Sequence, residues 1–153
     1  MVHVVRAQPV HLNVVMDLVN RLLAELGDGL DEFDRRDPVK TRGDLEACGD
    51  RFTAFLAQTD TGEAAGVVTV MEAFAIYAGG DYGIIDEMYV APPYRSRGVG
   101  RQLIDAVKAH GRARGWLRLD VTAPPEPEWQ RTVRFYEGQG FVFSGPKLRC
   151  MLD

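Results

Sequence analysis

The spacing of apolar positions changes several times in the first fifty residues. Val2 to Arg6 is short, rich in β-branched residues and ends before Pro9, which predicts a first strand. From Val15 the apolar positions follow helical spacing until Gly27, a typical helix stop, so an amphipathic helix is expected there. A weaker helix is predicted from Val39 to about Cys48.

The middle of the chain alternates between apolar and polar positions, as strands do. Arg51 to Gln58 and Ala64 to Tyr77 are strand-like and are separated by the turn residues Asp60 to Gly62. A second turn at Gly79 to Asp81 leads into Tyr82 to Val90. Three consecutive strands joined by short turns favour an antiparallel meander.

The last third returns to helical spacing and then to short apolar runs. Helices are expected over about residues 99 to 110 and from about Glu128 to Glu137, with a strand at Trp116 to Thr122 between them. Phe141 to Phe143 and Lys147 to Leu152 are predicted to form a closing hairpin at the sheet edge. The fold class expected from this order is α/β (α+β), with a mixed, mainly antiparallel central sheet and helices on both faces.

Length and charge narrow the class of protein. The 153 residues fit one domain, 1–153, and a hydrophobic content of 46% is ordinary for a globular chain. The formal charge of −4 gives no reason to expect a nucleic-acid or membrane partner. No run of about 18 uncharged apolar residues occurs, so a cytoplasmic location is expected.

Cysteine and histidine are sparse and widely spaced. Cys48 and Cys150 form neither a CxxC pair nor a disulfide framework, so both are expected to be reduced thiols. His3, His11 and His110 show no metal-ligand spacing with cysteine or acidic residues. No metal is expected.

The segment from Ile84 to Leu103 carries the chemistry. A strand passes through a proline turn into a helix start that contains Gly98 and Gly100. Free N–H groups at a helix start, the helix dipole and the small glycines favour an anion, and the arginines make a pyrophosphate more fitting than a single carboxylate. The arginines are Arg95, Arg97 and Arg101.

Two motifs together identify a family. The P-loop and the dinucleotide-binding signatures are absent, which disfavours other nucleotide-binding domains. Arg95-x-x-Gly98-x-Gly100, followed some forty residues later by Phe135-Tyr136-x-x-x-Gly140-Phe141, instead resembles the GCN5-related N-acetyltransferase (GNAT) superfamily. The resemblance extends over essentially the whole chain.

The resemblance implies acetyl-CoA as acyl donor and an amine, small or peptidic, as acceptor. Main-chain groups of Met88, Tyr89 and Val90 would hold the pantetheine arm. The pyrophosphate would lie on the loop and helix start formed by Arg95, Ser96, Arg97, Gly98, Val99, Gly100 and Arg101.

The resemblance also implies catalytic residues. Tyr136 matches the superfamily's acid, although a core tyrosine is the simpler alternative. Glu87 is the expected base, directly or through a water, and Asp86 is its close competitor. Strand alternation places these two carboxylates on opposite faces, so only one of them can face a given cleft. A bulge in the strand would reverse which of the two does so.

Some features leave alternatives open. Trp129 and Thr132 stand where many superfamily members have Asn and Ala. The acidic segment Asp28 to Asp37 is either a solubilising surface or an attraction for a cationic amine. A non-catalytic acyl-CoA-binding or regulatory module is the alternative function. A homodimer formed through the exposed closing strands is a further expectation.

Overall fold

The computed structural model describes residues 1–27, 37–123 and 130–152. The strands are β1 (Val2–Arg6), β2 (Phe52–Thr59), β3 (Ala64–Ala75), β4 (Gly80–Val90) and β5 (Leu119–Val121). The helices are α1 (Leu12–Leu26), α2 (Pro38–Ala47), α3 (Val99–Arg114) and α4 (Gln130–Gly138). Of the predicted acidic segment, residues 28–36 lie outside the described residues, as does Trp129.

The five strands form one sheet in the order β1-β2-β3-β4-β5. Neighbouring strands are antiparallel from β1 to β4, and β5 pairs with β4 in parallel. A parallel pair needs a long crossover, which α3 supplies here. The predicted meander and the mixed, mainly antiparallel sheet are therefore confirmed.

Helices pack on both faces of this sheet, because alternate strand residues are apolar on each face. One face, the α1 face, packs under α1; its core contains Val15, Leu18, Leu56, Val67 and Tyr89. The other, the α3 face, packs under α3; its core contains Val68, Val70, Ile85, Leu103 and Ile104. The prediction of helices on both faces is confirmed.

A bulge interrupts β4 in its middle. Thr69 of β3 pairs with Glu87, whereas Val70 pairs with Ile85, so Asp86 has no partner residue in β3. Ile85 belongs to the core of the α3 face. Val67 of β3 belongs to the core of the α1 face, and Thr69, two residues further along the strand, faces the same way. Glu87 pairs with Thr69 and therefore also lies on the α1 face. The extra residue therefore turns Glu87 to the α1 face and Met88 to the α3 face.

The predicted closing hairpin is wrong: residues 141–152 contain no strand. Val142, Phe143 and Leu148 are 85%, 88% and 90% exposed, so their apolar side chains are buried on neither face of the sheet. A strand is stabilised by cross-strand pairs and burial; this segment has no pairing strand, and of its apolar side chains Phe141 packs against the core whereas Val142, Phe143 and Leu148 do not. The expected homodimer stays a prediction, without support from paired closing strands.

No helix among the described residues combines the length and the apolar character needed to cross a membrane.

Candidate active site

Strands β4 and β5 separate at the middle of β4. Their pairing extends only over Gly83–Ile85 with Leu119–Val121, while β4 continues to Val90. In the described part of the chain, no strand pairs with this edge of β4 beyond Ile85. Such an edge presents main-chain N–H and C=O groups that an extended amide-containing ligand can pair with. Met88, Tyr89 and Val90, the predicted pantetheine-binding residues, lie on it.

The chain after β4 turns sharply into α3. Gly98 is the N-cap of α3 and has a φ of 80°, a left-handed conformation that favours glycine. The first main-chain hydrogen bond here runs from Gln102 N to Gly98 O at 3.1 Å, so the N–H groups of Val99 to Arg101 precede it. These N–H groups at the positive end of the helix dipole suit a phosphate.

Gly100 brings α3 against β4 and α4. A Cβ atom at this position would lie 3.0 Å from Met88 Cε and 3.0 Å from Phe135 Cζ. The absence of a side chain at position 100 therefore lets the helix start approach the strand edge closely. The second glycine of the motif has a packing role independent of any ligand.

Arg95 is held by groups of the protein itself. Its Nε donates to Val90 O at 2.7 Å, and its Nη2 donates to both carboxylate oxygens of Glu25 at 2.7 and 2.9 Å. Its guanidinium carbon lies 5.4 Å from the centroid of the Tyr89 ring. Its backbone N donates to Pro92 O at 3.3 Å. Arg95 thus links the end of α1 to the end of β4.

The other cations near the loop differ in their partners. Arg101 Nε lies 3.8 Å from Asp105 Oδ2, in an exposed pair on α3. Arg131, on the first turn of α4, donates from Nη2 to Ser96 Oγ at 2.8 Å. Sequence reasoning missed Arg131. Its only signal was a cation five residues before Tyr136, and its reach to the loop is visible only in three dimensions.

Tyr136 lies in an apolar environment on the α3 face. The residue is 8% exposed, and its hydroxyl donates to Met88 Sδ at 3.9 Å. Its ring makes edge contacts with Phe135 and Phe141, with centroids 5.4 and 5.5 Å away. Burial raises the pKa of Tyr136 to about 12. The phenol is therefore protonated, and a hydrogen-bond donor, at neutral pH.

Glu87 lies in a half-buried polar position on the α1 face. Thr69 Oγ1 donates to Glu87 Oε2, and Glu87 N donates to Thr69 Oγ1 at 3.1 Å. Burial raises the pKa of Glu87, the Thr69 hydrogen bond lowers it in part, and the charge of Asp86 raises it further. Glu87 is therefore a stronger base than a solvated glutamate.

Asp86, the bulge residue, is more open to solvent. Its side chain is exposed, although burial of part of its carboxyl group raises its pKa and Lys147 opposes that shift. Among the described residues, no group of three or more His, Cys, Asp or Glu side chains could hold a metal ion. Cys48 is half-buried and Cys150 is exposed, and both are free thiols.

Comparison with known proteins identifies the class. Residues 50–143 match the family model of the acetyltransferase (GNAT) domain. The chain therefore belongs to the GNAT acetyltransferase family, as the two motifs predicted. Its sequence matches no curated protein.

Solved structures share the whole fold at low sequence identity. An aminoglycoside acetyltransferase, HMB0005, from an uncultured soil metagenomic sample is 22% identical with a TM-score of 0.82, over 100% of this chain and 99% of that one. The ribosomal-protein-alanine N-acetyltransferase from Brucella melitensis biovar Abortus 2308 is 20% identical with a TM-score of 0.77, over 99% and 100%. A transcriptional regulator from Bacillus halodurans C-125 is 18% identical with a TM-score of 0.78, over 99% and 100%. These likenesses establish the GNAT fold.

Proposed function

We propose that this protein is an N-acetyltransferase that transfers the acetyl group of acetyl-CoA to an amine. One observation carries the proposal: the open edge of β4 leads directly to the free N–H groups at the start of α3, and a buried phenol and a half-buried carboxylate lie on its two faces. An extended thioester with a pyrophosphate has the length and polarity to follow this path. The activity rests on one catalytic domain, 1–153, in the cytoplasm.

The donor is bound chiefly by main chain. The amides of the pantetheine arm pair with Met88, Tyr89 and Val90, and the pyrophosphate accepts hydrogen bonds from the loop and helix start, Ser96 to Arg101. Arg95 contributes by fixing the end of β4 next to that loop, since its side chain is already paired with Glu25 and Val90 O. No metal takes part in this reaction scheme.

Glu87 is the general base, directly or through a water. It accepts a proton from the neutral amine as the amine nitrogen forms a bond to the acetyl carbon of the thioester and the C–S bond breaks. The acceptor approaches from the α1 face, because the bulge at Asp86 turns Glu87 to that face. The raised pKa of Glu87 makes its carboxylate a more effective proton acceptor near neutral pH.

Tyr136 acts on the departing sulfur from the α3 face. Full proton transfer from a phenol of pKa about 12 to a thiolate whose conjugate acid has a pKa of about 8.5 is uphill by about 5 kcal/mol. Tyr136 therefore stabilises the thiolate by donating a hydrogen bond as charge develops, and solvent supplies the proton of the free thiol.

The acceptor is an amine, because the base at Glu87 requires a nitrogen that can give up a proton. The names of the similar structures, an aminoglycoside enzyme and a protein N-acetyltransferase, show that one fold serves acceptors of very different size. A panel that contains an aminoglycoside, free amino acids, a polyamine and a short peptide with a free N-terminus samples these sizes.

The proposal is tested by thiol release from acetyl-CoA with each panel member. Acceptor-dependent release by the wild type, lost in Glu87→Gln, is the expected result. Tight binding of acetyl-CoA with no acceptor-dependent release from any member would instead favour the non-catalytic acyl-CoA-binding alternative.

A further inference from the structure

Arg131 reaches across from the helix that carries Tyr136 to the loop between β4 and α3. Its Nη2 donates to Ser96 Oγ at 2.8 Å, a contact between residues 35 positions apart in the chain. Arg131 is an exposed residue. The guanidinium of Arg131 therefore lies next to the loop that leads to the free N–H groups at the start of α3.

The charge of Arg131 is not neutralised within the described residues. Arg95 is paired with Glu25, and Arg101 is paired with Asp105. In residues 1–27, 37–123 and 130–152, no carboxylate lies within ion-pair distance of the Arg131 guanidinium, whose partner is a neutral hydroxyl. As far as the described residues go, Arg131 is thus more available to an anion than Arg95, the first residue of the loop motif.

Ser96 has an unusual backbone that accompanies this contact. Its φ is 60°, and it is the one non-glycine residue with positive φ in the described part of the chain. A non-glycine residue in this left-handed region is uncommon, because its Cβ crowds the backbone there. The conformation places the Ser96 hydroxyl where Arg131 reaches it, so loop and helix meet at a defined point.

We propose that Arg131 binds the pyrophosphate of the acyl-CoA donor and that Arg95 does not. This inference rests on the proposed function. The guanidinium keeps its contact with Ser96 through one nitrogen and donates to a phosphate oxygen through others, as its planar fork allows. Because Arg131 and Tyr136 share α4, donor binding also fixes the helix that carries the phenol.

The test is a titration of three ligands into matched variants. CoA, dephospho-CoA and pantetheine are titrated calorimetrically into the wild type, Arg131→Gln and Arg134→Gln. Arg134 is an exposed arginine on the same helix and has no proposed role. Arg131→Gln is expected to weaken CoA and dephospho-CoA alike, by about tenfold to a hundredfold, the size of a hydrogen bond to a charged group. Pantetheine binding stays unchanged, and Arg134→Gln binds every ligand like the wild type.

Several results would overturn the inference. Equal affinities in Arg131→Gln and Arg134→Gln would remove Arg131 from the donor site. A loss limited to CoA would assign it to the 3′-phosphate, and an equal loss for pantetheine would make its role structural. Arg131→Lys, which keeps the charge, is expected to restore part of the affinity. Absence of CoA binding by the wild type would refute the proposed function together with this inference. CoA binding by the wild type that Arg131→Gln leaves unchanged would refute the inference alone.

Discussion

The two sides of the open edge of β4 differ sharply in polarity. On the α3 face, Tyr136 is enclosed by aromatic rings and a methionine, and burial raises its pKa to about 12. On the α1 face, Glu87 is half-buried and bonded to Thr69, next to the exposed Asp86. The same physical effect, desolvation, keeps the phenol protonated as a hydrogen-bond donor and makes the carboxylate a better proton acceptor. One strand edge can thereby separate acid from base.

The largest effect is expected when the base is removed. Glu87→Gln should lower kcat by about 10²–10⁴, the usual contribution of a general base, with acetyl-CoA affinity unchanged. Asp86→Asn is the matched control, because it neutralises the neighbouring carboxylate, and its kcat should stay within about threefold of the wild type. Steady-state kinetics with the acceptor found in the panel measure both. The opposite ranking of the two variants would make Asp86 the base.

Removing the phenol is expected to have a smaller effect. Tyr136→Phe should lower kcat by about tenfold to a hundredfold, because a hydrogen bond to a charged sulfur is lost, while the affinity for acetyl-CoA stays nearly unchanged. Among the described residues the hydroxyl hydrogen-bonds only to Met88 Sδ, so the melting temperature should stay close to that of the wild type. Tyr77→Phe, at an exposed hairpin position, serves as the control. Turnover equal to that of the wild type would assign Tyr136 to the core alone.

The contrast between the faces also predicts a pH dependence. A base must be deprotonated, so kcat/KM should fall as the pH falls through the raised pKa of Glu87, above the usual value of about 4.3 for glutamate. Thr69→Val removes the hydrogen bond that lowers this pKa, so the acidic limb of the profile should move to higher pH. A profile that Thr69→Val leaves in place, or moves to lower pH, would contradict Glu87 as the titrating group.

The raised pKa of Glu87 also predicts that Glu87→Gln, which lowers activity, raises the stability of the fold at pH 7. Because the folded-state pKa of Glu87 is raised, its ionised form costs stability once the pH is above that pKa, and the cost disappears as the pH falls below the unfolded value. Glu87→Gln should therefore unfold at a higher denaturant concentration than the wild type at pH 7. This advantage should shrink in acid. A variant less stable than the wild type at pH 7 would show that the carboxylate is structural.

The smallest effect concerns the ion pair at the end of α1. Exposed pairs contribute about 0–1 kcal/mol, so Glu25→Gln should weaken acetyl-CoA binding by no more than about fivefold, through a less well-fixed loop. Asp17→Asn, which breaks an exposed pair with Arg21 on the same helix, is the control and should have no effect. Tighter binding in Glu25→Gln would mean that a released Arg95 is a phosphate ligand.

The fold was largely predictable because its elements follow local patterns. Alternation and helical spacing located β1 to β4, α1 and α3, and the two motifs located the loop and the helix of Tyr136. The predicted closing hairpin failed because an apolar run forms a strand only where a neighbouring strand pairs with it and a face buries it. Residues 141–152 have no pairing strand, and most of their large apolar side chains are exposed.

The details of the site depend on contacts between distant segments. The bulge at Asp86 arises from the register between β3 and β4, which one sequence does not reveal. The pairing of Arg95 with Glu25 joins residues 70 positions apart, and Arg131 meets Ser96 across 35 positions. The residue types in the loop motif therefore suggested Arg95 as a phosphate ligand. The packing of α1 and α4 around the loop is what distinguishes the role of Arg95 from that of Arg131.

The central claim, that acyl-CoA binds along β4 and the start of α3, is tested most directly by thermal unfolding of the wild type with acetyl-CoA, CoA or ATP. Ligand at about a hundred times its Kd should stabilise the fold by roughly 2.7 kcal/mol, or several degrees. Such a rise in Tm is expected with acetyl-CoA and CoA, and no rise is expected with ATP. An unchanged Tm at saturating acetyl-CoA, or an equal rise with ATP, would contradict it.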